Sequence, residues 1–577
     1  MRKAVITFIL FLTVILSPEA IGQNVREFRS MTDSLSTLVK ERTTVKVKLS
    51  LRNVTKRGNA LDFYFSDNLE DLPWRESDVN WFRGRIKALL PDGYSSSEVG
   101  RVYCRTTDIE NLITPGLSKN GRPQSTKYTQ TDRKGRYTPL LRKVGGLNFP
   151  KGLSSRHIAL WQSHGRYYET STKRWEWQRA QVWMTVEDMY TQSYVIPYLI
   201  PMLENAGAYV MTPRERDTQI YESVVDNDPA FQGERKGLIR RSGRYSESGS
   251  WDNAGEGFAD AKAVYSGADN PFTMGTVRQS KVVESSSRKS EAIWTPDIPE
   301  RGEYAVYISY KSLPNSTTAA HYTVHHLGGE SEFLINQKMG GGTWIYIGTF
   351  EFDKGSEGYV TLDNVTPQGV TYVRDNVVTA DGVRFGGGMG KVARGEDDAP
   401  LEEWETSGVP SYMEGALYWM QWAGVDTTIT RLHETDYTND YADRGPWVGL
   451  MSGGSFMNPE EDGKGIPIDL SFAFHSDAGT TPNDSIVGTL SIYTLLADGK
   501  QKLPAGGDRM ACREFADIVQ SQIVQDVRAD FEPEWSRRML WNRSYSESRT
   551  PPVPAMLLEL LSHQNFADMK YGLDPTF

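Results

Sequence analysis

Apolar positions along the chain change their period several times, and each change marks an element. Val25, Phe28, Met31, Leu35, Leu38 and Val39 recur at helical spacing, which predicts a helix from residue 25. Alternating TVKVKLSL from Thr44 to Leu51 and LDFYFS from Leu61 to Ser66 predict strands. A second helical stretch over Trp81 to Leu90 and a strand over Val99 to Cys104 complete a small α+β module within residues 23–150. The polar stretch Lys119 to Arg136 reads as its exposed linker.

From His157 the pattern becomes strands alternating with helices. His157 to Trp161 is a short apolar strand, Trp183 to Glu204 a helical stretch stopped by Asn205-Ala206-Gly207, and Ala208 to Met211 the next strand, the order of an α/β layer. Pro197 and Pro201 remove backbone donors inside the helical stretch and predict a kink. Between Tyr245 and Gly390 the signal turns purely β, with AIWTPDIP, GEYAVYISY, HYTVHH, TWIYIGTFEF and GYVTL separated by turn residues, which predicts an inserted β-sandwich over 245–392. The mixed pattern then resumes and leads to IPIDLSFAFHSDAG and VPAMLLELLSH. The expected class is α/β, with the layered domain split into 151–244 and 393–577 around the insert.

Composition narrows the function classes. At 577 residues, against a working prior of about 150 per domain, the chain holds several cores. A formal charge of −10 gives no support for a polyanion-binding surface, so no nucleic-acid partner is expected. Residues 1–22 read as an export signal: Arg2 and Lys3 precede the apolar run Ala4 to Leu16, and Ala20-Ile21-Gly22 offers a small-residue cleavage site before Gln23. Later stretches are too short and polar to span a bilayer, so the expectation is an exported chain, periplasmic or extracellular, with no membrane span after cleavage. In that compartment Cys104 and Cys512 could pair or remain thiols, and sequence does not decide between the two.

Four short segments end in residues able to hold or serve a metal ion. His164 follows an apolar strand and precedes Gly165, Glu187 opens a helical stretch, and His475 ends the run Ile468, Leu470, Phe472, Phe474. Glu559 ends the buried-strand pattern PAMLLE, where an ionised carboxylate is costly without a cation nearby. Any one of these is ordinary alone: a strand-end His is usually packed, and a carboxylate in a first helical turn answers the helix dipole. Together they supply two imidazoles, a carboxylate ligand and a non-ligating acid, the donor set of a catalytic zinc site.

The same segments resemble the zinc-dependent N-acetylmuramoyl-L-alanine amidases. The resemblance rests on Ser163-His164-Gly165, on Glu187 with Leu203 to Val210 and Arg214 to Asp217, on Phe474 to Ala478, and on Pro554 to Glu559. It departs at Trp161-Gln162-Ser163 and at Asp477. It implies a three-layer amidase-type domain with a mixed sheet, Zn2+ held by His164, Glu187 and His475, Glu559 moving the proton, and peptidoglycan or muropeptides as substrate. The inserted segment resembles the β-sandwich of golvesins and of proteins called xanthan lyase, through FTMGTVRQS, AIWTPDIPERGEYAVYISY, GGGTWIYIGTFEF and ADGVRFGGGMG. That likeness implies carbohydrate binding, with Trp294, Trp344 and Tyr346 as stacking aromatics if they face outward. Two alternatives stay open: a polysaccharide-binding protein with a non-catalytic α/β scaffold, and a zinc carboxypeptidase acting on cell-wall peptides. Asp188, Arg214, Arg216 and Asp217 are expected to form structural ion pairs, and His321, His325, His326, His433 and His563 receive no role.

Overall fold

A computed structural model describes residues 21–117, 137–147, 149, 152–231, 241–396 and 399–577. The proposed linker 119–136 and almost all of the export signal lie outside those residues. The chain divides into two units, residues 1–123 with 537–540, and residues 124–536 with 541–577. Among the described residues no helix is long and apolar enough to cross a membrane.

The first unit pairs the helices Arg29–Thr43 and Glu76–Ala88 with a sheet in the order Ile21–Gly22, Leu51–Arg57, Ala60–Phe65, Glu98–Cys104, Thr107–Asp108. The strand expected from Thr44 starts instead at Leu51. Val45 and Leu49 are buried in the alternation the sequence shows, but the Leu49 amide donates to Ser36 Oγ at 2.9 Å, which ties the segment to a helix rather than to a neighbouring strand. Cys104 and Cys512 are both buried thiols, and no disulfide joins them.

The second unit contains a largely parallel sheet. We number its strands β1 (His157–Gln162), β2 (Tyr209–Met211), β3 (Ile468–Asp477), β4 (Thr489–Tyr493) and β5 (Ala555–Ser562). They lie in the order β2-β1-β3-β5-β4, all parallel except β4. Every residue of β1 is buried, as its unbroken apolar run requires for a strand covered on both faces. The helix Met510–Asp530 covers β4 and β5 with Cys512, Ala516, Gln520, Val524 and Val527.

The helix expected over Trp183–Glu204 is broken into Glu187–Tyr190, Gln192–Tyr194, the wide π turn Val195–Leu199 and Ile200–Asn205. Pro197 and Pro201 cannot donate to the ladder, so the π turn falls where one of the donors is missing. Trp183 lies before the helix, in a turn.

The expected α/β class is corrected. Strands of the described residues fill seven sheets, and five of those sheets lie outside the first unit and outside the parallel sheet, so the chain is predominantly β. The largest share sits in residues 223–385, where a five-stranded sheet orders Arg241–Ser242, Ser223–Val225, Val383–Phe385, Gly302–Ile308, Ile345–Phe352. A six-stranded sheet orders Arg244–Ser248, Glu291–Thr295, Tyr359–Asp363, Ala320–His326, Gly329–Ile335, Leu141–Lys143. The last of these strands comes from upstream of the expected insert and pairs antiparallel with Phe333 to Ile335. Trp294, Tyr304, Ile308, Tyr322 and Val324 are fully buried in this region.

Candidate functional site

Parallel strands place their carboxyl ends at one edge of a sheet, and polar residues that end such strands are gathered there. β1 leads into Ser163 and His164, while His475 of β3 is in register with Glu559 of β5. Glu187 arrives from the side, at the first turn after the hairpin Arg166–Glu169 and Arg174–Trp177. Its carboxylate accepts the Ser476 amide at 3.2 Å, and Thr191 Oγ1 holds the Ser163 amide at 3.2 Å.

His164, Glu187 and His475 each present one donor atom within 4.8 Å of the others, and all three are buried. His164 Nε2 lies 3.8 Å from Glu187 Oε2, and His475 Nδ1 lies 3.5 Å from Glu187 Oε1. Tetrahedral zinc with bonds of about 2.0–2.1 Å needs donors roughly 3.3 Å apart, so small side-chain movements would close the set.

The surroundings fit a cation. His475 Nε2 lies 3.0 Å from Glu547 Oε2, the carboxylate-histidine arrangement that orients metal-binding imidazoles. Glu547 is fixed by the Trp161 indole at 2.5 Å and by Arg444 at 2.9 Å, and Arg444 also pairs with Asp440 at 2.5 Å. His563 Nδ1 stands 3.9 Å from Glu187 Oε2 and 3.1 Å from Ser476 Oγ, with its Nε2 buried and unpartnered.

Electrostatics follow from these contacts. Burial drives the His164 imidazole well below its usual range, assisted by the neighbouring His475 and Arg179, so it is neutral and able to ligate. Burial also opposes charge on His475, but Glu547, Glu187 and Glu559 outweigh it and hold the imidazolium up to about 10. Burial would raise Glu547, yet His475 and Arg444 bring it down to about 2. Glu187 is lowered in spite of burial, by His475, His563 and Arg179. In the metal-free protein the cationic His475 therefore supplies part of the positive charge that these buried carboxylates require.

The structure thus brings together His164, Glu187 and His475, three of the residues singled out from sequence, while the fourth, Glu559, stands in register with His475 on the adjacent strand. Sequence reasoning missed Arg179, Glu547, Arg444 and His563. Of the four residues expected to form structural ion pairs, Arg216 does so, gripping Glu204 at 2.7 and 2.9 Å, whereas Asp217 accepts the Ala305 amide at 2.7 Å and Arg214 donates to the Glu414 carbonyl at 2.7 Å. Asp188 accepts the backbone amides of Gln178 and Arg179 at 3.1 and 3.2 Å instead of pairing with a cation.

Residues 241–387 match the Golvesin C-terminal domain. A 92-residue stretch is 37% identical to the xanthan lyase of Bacillus sp. strain GL1, covering 16% of this chain and 10% of that protein. The chain thus spans about a tenth of its curated relative. Among solved structures, the Paenibacillus xanthan lyase is 22% identical with a TM-score of 0.20, covering 29% of this chain and 13% of its own. The C-terminal CBM6 of LamC, a marine laminarinase from Zobellia galactanivorans, is 10% identical with a TM-score of 0.14, covering 25% of this chain and 99% of its own. Superpositions this partial do not bear on the fold.

These comparisons overturn the amidase assignment and its peptidoglycan substrate: the matching family is the Golvesin C-terminal domain, and the curated relative is named for xanthan. The physical reason is topological. Any parallel sheet collects strand-ending polar residues at one edge, so four ordered short segments report the sheet and not the bond cleaved.

The aromatic expectation is corrected as well. Trp294 is fully buried and donates to the Asp381 carbonyl at 2.7 Å, and Trp344 is buried against Phe258 and Phe272. Tyr346 is covered by the Arg216 guanidinium, 3.8 Å from its ring centre. Alternation along a strand sends half its side chains inward; Trp294 sits on that half, whereas Tyr346 lies half-buried between the buried Ile345 and Ile347 and is masked by the arginine instead.

Proposed function

We propose that this chain is an exported polysaccharide-binding protein whose second unit also holds one divalent cation, zinc, at His164, Glu187 and His475. The observation that carries the first part is the match of residues 241–387 to the Golvesin C-terminal domain, joined to the 37% identity with a protein named xanthan lyase. The second part is supported by three donor atoms within 4.8 Å and the Glu547 carboxylate behind His475.

With Trp294, Trp344 and Tyr346 covered, sugar stacking falls to exposed rings elsewhere. Trp183 and Phe566 make one such pair, 39% and 57% exposed, with ring centres 5.4 Å apart. They lie four residues after Arg179 and three after His563, which sets them near the pocket in sequence. A pyranose ring presents an apolar C–H face that an aromatic ring can cover while its hydroxyls stay wet. Asp484, exposed and accepting the Phe566 amide at 3.1 Å, flanks that ring and supplies a polar group suited to those hydroxyls.

The test is retention of the purified full chain in native gels cast with xanthan, dextran or laminarin, with peptidoglycan sacculi sedimentation as the comparison. Retardation in at least one polysaccharide and no sedimentation with sacculi is the expected result. Mobility unchanged in every polysaccharide contradicts the reading.

A further inference from the structure

Arg179 holds its guanidinium in contact with two of the candidate ligands. It opens the segment between the strand Arg174–Trp177 and Glu187, and its backbone amide is held by Asp188 at 3.2 Å. Its Nη2 lies 2.9 Å from His164 Nε2, its Nε lies 3.3 Å from Glu187 Oε2, and its Nη1 donates to the Tyr437 hydroxyl at 3.0 Å. One guanidinium therefore touches two of the three atoms that a divalent ion would need. A planar five-donor cation can satisfy an imidazole lone pair and a carboxylate at once, which the two groups require when buried.

We propose that Arg179 is a resident cation that keeps the ligand set in place while no metal is bound, and that it must withdraw for a divalent ion to enter. The inference rests on reading His164, Glu187 and His475 as metal ligands. A dication and a guanidinium at contact distance repel strongly in a buried pocket, so the two exclude one another. Withdrawal has a route, since the Arg179 side chain is 30% exposed whereas that of Glu187 is 2% exposed. The segment is also built for adjustment. Val182 and Thr185 exchange backbone hydrogen bonds at 2.9 and 3.0 Å around Trp183 and Met184, whose φ angles are 54° and 63°. Two bulky residues in the left-handed region of a tight turn normally made by Asn-Gly mark a strained loop, which a second arrangement would relieve.

The experiment is zinc titration of the metal-stripped full chain, with thermal melting of the metal-free and loaded forms, for wild type, Arg179→Gln and Tyr437→Phe. Arg179→Gln is expected to bind zinc at least tenfold more tightly than wild type and to melt lower when metal-free but not when loaded. Tyr437→Phe loosens the arginine without touching a ligand, and a several-fold gain in affinity is expected. Equal or weaker binding by both variants overturns the resident-cation role and leaves the metal site standing. If wild type and variants alike take up no zinc, the ligand reading falls and this inference falls with it.

Discussion

The backbone amide of Ser476 donates to Glu187 Oε1 at 3.2 Å although 289 residues separate them. That contact fixes the carboxylate beside His475, and the pocket depends on it. The β-rich region lies between the two segments in sequence, yet both reach the same edge of the parallel sheet, because strand order and not chain distance decides which ends meet.

Glu547 is the strongest test of the buried charge network. Replacing it by Gln leaves Arg444 paired with Asp440 and removes the anion facing His475 Nε2, while Glu187 still faces Nδ1. Breaking a buried pair from one side costs about 3–5 kcal/mol, so urea denaturation at neutral pH is expected to show a loss of that order. Zinc affinity is expected to fall by about 10–100-fold, the usual effect of losing a carboxylate behind a ligating imidazole. A variant indistinguishable from wild type in both measurements contradicts the network.

The metal-free protein has a defined pH window. His475 titrates at about 10 when folded against an ordinary 6.5, so its contribution is complete below about 6.5 and is lost as pH rises toward 10. Glu547 titrates at about 2 against an ordinary 4.5, so its contribution is complete above about 4.5 and is lost as pH falls toward 2. Unfolding free energy measured against pH is expected to peak between those limits, with an alkaline decline that His475→Gln flattens. An alkaline limb unchanged in that variant contradicts the assignment.

Trp294 and Trp183 are expected to separate stability from binding. Trp294 is fully buried, and its replacement by Ala costs about 3–5 kcal/mol of unfolding free energy. Trp183→Ala is expected to change stability by about 0.5 kcal/mol or less, while lowering polysaccharide affinity by the roughly 0.5–1.5 kcal/mol that ring stacking contributes. Equal affinity in Trp183→Ala and wild type would remove that ring from the binding surface.

Met184 is 93% exposed and held at a φ of 63°. Glycine adopts that conformation without a Cβ clash, so Met184→Gly is expected to raise unfolding free energy by about 1 kcal/mol in chemical denaturation. A loss of stability would show that the turn is not strained.

Much of the pocket was legible because strands announce their ends. The apolar run Ile468 to Phe474 gives way to His475 two residues before its strand ends at Asp477, and His157 to Gln162 ends just before His164, so the periodicity puts both imidazoles near strand ends. Arg179 and Glu547 were not legible. Glu547 sits in the short helix Ser546–Arg549, and its partners Arg444 and Trp161 lie 103 and 386 residues away. Nothing local marks such a residue as a partner. The fold class was misjudged where strand-helix alternation over a few elements was extended to the whole chain, whereas the strands of residues 223–385 outnumber them. The aromatics of the sandwich were misplaced because alternation gives two faces without saying which is inner.

The most direct measurement is metal content of the purified full chain after zinc loading and desalting, determined by elemental mass spectrometry for wild type, His164→Ala, Glu187→Gln and His475→Ala. One zinc per wild-type chain, with almost none retained by each folded variant, is the predicted result. Wild type without zinc, or variants that retain it as wild type does, would contradict the convergence of these three side chains on one cation.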